Sequence, residues 1–177
     1  MSTDDRENNI GPNDVLPIVD GSTAPDWEIP FLPVFYTSDT TRPFLKGFDL
    51  DMDEGLLTMT FSEPLRTSPM QIDQITFQNE RFFVGNQTDA VTLTKNSTTS
   101  TSDARIVEID LQQKGGDDSQ DLDLLKVTRG LCQDADSTFI SFTRFLGTDT
   151  APALNKLIPV AKQNATQVST FKGDSTK

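Results

Sequence analysis

Phe48-Asp49-Leu50-Asp51-Met52-Asp53-Glu54-Gly55-Leu56-Leu57-Thr58-Met59-Thr60-Phe61-Ser62 is the stretch on which the fold turns. Apolar and polar residues alternate on both sides of Glu54-Gly55, the period-2 mark of strands with one buried face. Gly55 supplies the residue a tight turn needs, so Phe44 to Ser62 reads as a β-hairpin with Phe48, Leu50, Leu57, Met59 and Phe61 turned inward.

Working outward, Ile75-Thr76-Phe77, Arg81-Phe82-Phe83-Val84, Ala90-Val91-Thr92-Leu93-Thr94 and Arg105 to Leu111 read as further strands. Thr138 to Phe145 is another, and a weaker one lies near Leu157 to Val160. Ser68-Pro69-Met70 would open a single helical turn, and lysine 95 to aspartate 103 forms a polar loop. In the stretch 117 to 132, Leu122, Leu124, Leu125, Val127 and Leu131 partly follow helical spacing, and Asp117, Asp118 and Ser119 suit a first turn. Some seven strands at short spacing and one short connecting helix make an all-β, antiparallel sandwich. The expected core adds Phe77, Val107, Ile109, Phe139 and Phe142 to the hairpin residues.

Upstream, residues 1–14 are polar and aperiodic and read as a flexible arm. Residues 15–43 hold Pro17, Pro25, Pro30, Pro33 and Pro43, which forbid a helix and read as an extended linker or the end of a preceding module. The sandwich then occupies residues 44–177.

With 177 residues the chain holds one core of ordinary size, and its net charge of -12 disfavours nucleic acid and bare anionic membrane as partners. Histidine is absent, which removes His-based acid–base catalysis, His triads and His metal ligands. Cys132 is the one cysteine, so no intrachain disulfide forms, and its apolar neighbours point to a buried thiol. Gly115-Gly116-Asp117-Asp118 has the wrong charge for a phosphate loop. Abundant carboxylates without a cleft-forming pattern do not make a hydrolase, and no enzyme activity is expected. No apolar run has the length of a transmembrane helix, and the first residues lack a signal-peptide core; a secretion signal would lie outside this chain.

Asp49, Asp51 and Asp53 fit D-x-D-x-D, but Glu54 and Thr60 occupy positions where a calcium-binding EF-hand needs Gly and Glu. In a strand the three would share one face at roughly 7 Å spacing and keep it wet. Sequons stand at Asn86, Asn96 and Asn164, all in expected loops or edges, and are the glycosylation candidates.

A short similarity appears twice. Phe35 to Arg42 and Phe171 to Lys177 each give Phe, a spacer, then an aspartate, a hydroxyl residue, Thr and a basic residue. The aspartates, Asp39 and Asp174, lie 135 residues apart, a suitable length for one sandwich repeat.

Asp39-Thr40-Thr41-Arg42-Pro43, leading through the hairpin to Glu63-Pro64-Leu65 and followed by Ile75-Thr76-Phe77-Gln78-Asn79, resembles the recurring unit of large surface proteins of algae, choanoflagellates and other protists. Asp121 to Lys126 resembles the acidic helical connection of that unit, and Val168 to Asp174 its closing strand. Such units are bacterial-Ig-like or cadherin-like. The resemblance therefore implies an immunoglobulin-like sandwich acting as a non-catalytic structural or assembly module in a stalk, fibre, mastigoneme or coat. It places the protein outside the cell or on its surface, with neighbouring repeats or other subunits as partners. It makes Asp39, Pro43 and Asp174 the repeat junction, with calcium as the cation such a junction would take; no cofactor is otherwise expected and no metal ligand set is assigned. The family's Asp-x-x-Gly-Asn turn is replaced by Asp149-Thr150-Ala151-Pro152-Ala153-Leu154-Asn155, which lacks the glycine. An adhesive or glycan-binding module is the alternative, although Trp27 and Tyr36, the one Trp and one Tyr, both precede the core; a viral coat or appendage protein is another.

Overall fold

The computed structural model describes residues 37–83, 90–99, 101–112 and 121–175. The compact unit containing the core begins at Ser38. Asn86 and the proposed helix-start residues Asp117, Asp118 and Ser119 lie outside the described residues, as do the arm and residues 15–36 of the linker.

The hairpin forms as its alternation demands. Strand β1 (Leu45–Asp51) pairs antiparallel with β2 (Leu56–Leu65), and β2 pairs with β5 (Ala104–Asp110). A second sheet holds β3 (Ile75–Gln78), β4 (Ala90–Thr92), β6 (Phe139–Phe142) and the two-residue β7 (Thr166–Gln167) in the order β4-β3-β6-β7. Phe48, Leu50, Leu57, Met59, Phe61, Val107 and Ile109 meet Ile75, Phe77, Ile140 and Phe142 in one core. Phe48 and Phe77 join the sheets edge to face, their ring centroids 6.4 Å apart. Each such ring withdrawn from water is worth roughly 1.5–3 kcal/mol.

The first sheet is mixed, which corrects the expectation of a purely antiparallel sandwich. Its order is β5-β2-β1-β8, and β8 (Thr170–Lys172) runs parallel to β1, Asp49 opposite Thr170 and Asp51 opposite Lys172. The closing segment is therefore split. Val168 still donates its N–H to Thr138 O beside β6, whereas the Ser169 N–H reaches Phe48 O on β1, so the chain changes sheets between adjacent residues.

Other expectations change in detail. Among the described residues the helix α1 spans Asp121–Val127, with Leu122 and Leu125 in the core. Ser68-Pro69 is a cis turn, and the helical turn falls later, a 3-10 turn at Ile72–Gln74. Residues 81–83 are not a strand: Phe83 N–H donates to Lys162 O and Ala165 N–H to Arg81 O, so this segment packs with residues 162–165. Together they cover the outer face of the second sheet, where Gln78 is buried, donates to Glu80 O and Lys162 O, and accepts from Ser141 Oγ. Phe139 lies opposite Gln78 and, although buried, stands outside the central core cluster. The stretch near Leu157 to Val160 makes only an isolated bridge, Phe142 to Val160.

Candidate functional site

The two aspartates of the doubled motif fall at opposite ends of β1. At its N-terminal end, the leading pole, Pro43 is buried and its carbonyl accepts the Ile158 N–H. Arg42 donates from Nε to Lys156 O and from Nη2 to Leu157 O, at 2.9 and 2.7 Å. These bonds strap the chain before β1 to the loop that follows β6.

Asp39 lies against that loop. Its carbonyl accepts from Asn155 Nδ2 at 3.0 Å, and its own carboxylate accepts the Thr41 N–H at 2.8 Å. Asn155 Nδ2 also donates to Asp149 Oδ2, and Asn155 N–H to Asp149 Oδ1, each at 2.9 Å. Asp149 is buried and bridges to Leu65 at the end of β2. Leu154 supplies the left-handed backbone at φ 50° that brings Asn155 back, so the loop closes without a glycine between Asp149 and Asn155.

Glu63, two residues before Leu65, completes a group in which one carboxylate oxygen from each of Asp39, Glu63 and Asp149 lies within 4.8 Å of the others. Burial, then the charges of Asp39 and Asp149, push the Glu63 carboxyl above its ordinary value. Such a group can relieve its repulsion by protonating Glu63 or by accepting a hard cation on its oxygens. Sequence reasoning named Asp39 and the Asp149 turn but missed Glu63. Its one signal is an acid closing the hairpin's alternation immediately before Pro64.

At the trailing pole, beyond the C-terminal end of β1, Lys172 Nζ meets Asp51 at 2.8 Å and Asp53 at 3.6 Å. Ser175 donates from its N–H and its hydroxyl to Asp53, and Asp174 pairs with Lys126 of α1 at 3.1 Å. Desolvation opposes ionisation of Asp51, but the Lys172 hydrogen bond and the Glu54 and Asp53 N–H groups outweigh it and hold the carboxyl below its usual value. The Ser175 N–H and hydroxyl do the same for Asp53. The D-x-D-x-D row is thus split: Asp51 and Asp53 anchor the closing segment, and Asp53 lies in the turn rather than in the strand.

The remaining candidates take no part in either cluster. Asn164 is exposed at the end of a 3-10 turn, Lys162–Asn164. Asn96 is half-buried, and the next residue, Ser97, is buried with its hydroxyl bonded to Asp121. Cys132 is buried, and desolvation pushes its thiol up to about 12. No helix among the described residues is long and apolar enough to cross a membrane.

No family model, curated protein or solved structure matches this chain.

Proposed function

We propose that the chain is an immunoglobulin-like, load-bearing module of a repetitive cell-surface or extracellular protein, joined head to tail with its neighbours and without catalytic activity. The parallel pairing of β1 with β8 carries this reading. It brings the chain in at one pole and out at the other, the condition for a linear array in which each module touches only its neighbours. An antiparallel closing strand would return the chain to the pole where it started.

The same pairing suits a mechanical role. Tension along such an array pulls β1 by its N-terminal end and β8 by its C-terminal end. Their mutual hydrogen bonds, Ser169 N–H to Phe48 O at 2.7 Å and Met52 N–H to Lys172 O at 2.9 Å among them, then bear load in shear and together rather than in succession. Exposed Asn164 is compatible with a glycan on the module's flank. The neighbouring repeats are the partners, and the junction is formed by Asp39 and Pro43 at one pole and Asp174 at the other.

Single-molecule pulling of the full chain tests the reading. Handles at Ser38 and Ser175 load β1 and β8 in shear; handles at Glu54 and Ser175 peel β8 away from one end. The expected rupture force is several-fold higher in the first geometry, and equal forces in the two would overturn the load-bearing role.

A further inference from the structure

The segments that cover the outer face of the second sheet present two exposed groups of complementary chemistry. Phe82 is 63% exposed, the most exposed aromatic among the described residues. Phe83 N–H donates to Lys162 O at 3.2 Å and Ala165 N–H to Arg81 O at 3.0 Å, so the two bonds bracket Phe82 on one segment and Gln163 and Asn164 on the other. Segments joined in this way run about 5 Å apart. Beneath them the buried Gln78 donates to Glu80 O at 2.7 Å and to Lys162 O at 2.8 Å, which ties both segments to one side chain. Asn164 is exposed, donates its N–H to Ala161 O, and opens the sequon Asn164-Ala165-Thr166, whose middle residue is buried. An acceptor nitrogen and an aromatic ring therefore stand on adjacent, clamped segments.

We infer that Asn164 carries an N-linked oligosaccharide whose first N-acetylglucosamine packs on the Phe82 ring. The inference rests on the cell-surface reading, because that route brings the chain to the sugar donor, an oligosaccharide carried on a polyprenyl diphosphate. The Asn164 side-chain nitrogen bonds to the anomeric carbon of the first sugar, one amide proton is lost, and the polyprenyl diphosphate leaves. An asparagine side chain bearing one sugar spans more than the gap between the two segments, so the sugar reaches the ring without any movement of the backbone. One face of a pyranose is lined with C–H groups of slight positive charge, and the face of an aromatic ring is negative, so the two stack favourably. The sugar also withdraws part of the exposed ring from water. Phe82 is thus a positioning residue for the glycan, and the glycan is held against the module's flank.

The full chain, secreted from a eukaryotic host behind a cleavable signal, tests this. Glycopeptide mass spectrometry is expected to find Asn164 occupied. Thermal midpoints of the wild type, Asn164→Gln, Phe82→Ala and the double variant, with Asn86 and Asn96 unchanged in all four, read the packing. Asn164→Gln is expected to lower the midpoint by about 3 °C in the wild-type background and by less than about 1 °C in the Phe82→Ala background. Proton NMR gives a readout that does not depend on stability: protons of the first sugar, identified by their loss in Asn164→Gln, are expected upfield in the wild type and at their ordinary positions in Phe82→Ala. An unoccupied Asn164, equal losses in the two backgrounds, or sugar shifts indifferent to Phe82 would each overturn the inference. The host imposes secretion and the pulling experiment needs no sugar, so this site can fail while the cell-surface module reading stands.

Discussion

Lys172 Nζ lies 2.8 Å from Asp51 Oδ2 and 3.6 Å from Asp53 Oδ2, so one side chain of the last strand holds the acid that ends the first and the acid in the turn beyond it. The Lys172 side chain is about half exposed, and exposed ion pairs contribute little to equilibrium stability. Its position counts for more, because it sits where the parallel pair ends.

Lys172→Met is therefore expected to move the urea midpoint slightly and to lower the shear rupture force clearly. The pH dependence follows from the direction of the shifts. Asp51 and Asp53 are held below their ordinary 3.8, so their contribution is complete above 3.8 and disappears as pH falls through their lower folded values. Lys172 is raised above 10.5, and its contribution is lost only as pH rises beyond that. Urea midpoints measured from pH 2 to pH 7 should show the wild-type advantage over Lys172→Met shrinking below 3.8. An advantage unchanged at the lowest pH would contradict the assignment.

Glu63 has the opposite sign. Its folded value lies above the ordinary 4.5, so the native state takes up its proton first and stability rises as pH falls through the folded value towards 4.5. Glu63→Gln should raise stability at pH 7 by about 0.5 kcal/mol and flatten that rise. Chemical denaturation of both proteins at pH 7 and near the lower limit distinguishes this from a neutral substitution.

Asn155→Ala removes both side-chain contacts of that residue, to Asp149 Oδ2 and to Asp39 O. Asp149 is buried, so leaving its oxygen without a donor should cost about 1–3 kcal/mol. Asn155→Asp should cost more, because it adds a carboxylate beside three others. Urea unfolding at neutral pH measures both, and a loss in Asn155→Asp no greater than in Asn155→Ala would count against the charge crowding inferred for this pole.

Gly55 has φ 61°, and a Cβ there would lie 2.7 Å from Gln112 Cγ and 2.8 Å from Leu122 Cδ2. Gly55→Ala should destabilise by about 1–3 kcal/mol, through left-handed strain and displacement of the α1 contact. Thermal unfolding reads this directly, and an unchanged midpoint would show that the turn relaxes.

Cys132 should resist thiol reagents in the native protein, its thiol being buried and pushed up to about 12. Labelling should follow global unfolding, with a rate that rises in step with urea. Rapid labelling without denaturant would show local opening around β6.

The hairpin was legible because alternation around Gly55 leaves one register that buries Phe48, Leu50, Leu57, Met59 and Phe61. Val107 and Ile109 were legible for the same reason. Residues 81–83 misled because Phe82 and Phe83 satisfy a strand pattern while the backbone of Arg81 and Phe83 bonds to Ala165 and Lys162, a pairing local sequence does not record. Phe139 misled more mildly: every residue of β6 is buried, so composition does not tell which of its faces meets the central core.

By itself the sequence determined a β-hairpin core, the absence of histidine chemistry and an acidic chain, since these follow from residue identity and from a period of two. Tertiary structure alone decided that Glu63 joins Asp39 and Asp149, because those residues come from three distant segments that meet only when the loop after β6 folds onto the end of β2. It alone decided the parallel pairing of β8 with β1. Strand direction depends on which sheet the chain joins after Val168, and two long-range hydrogen bonds, Val168 to Thr138 and Ser169 to Phe48, make that choice.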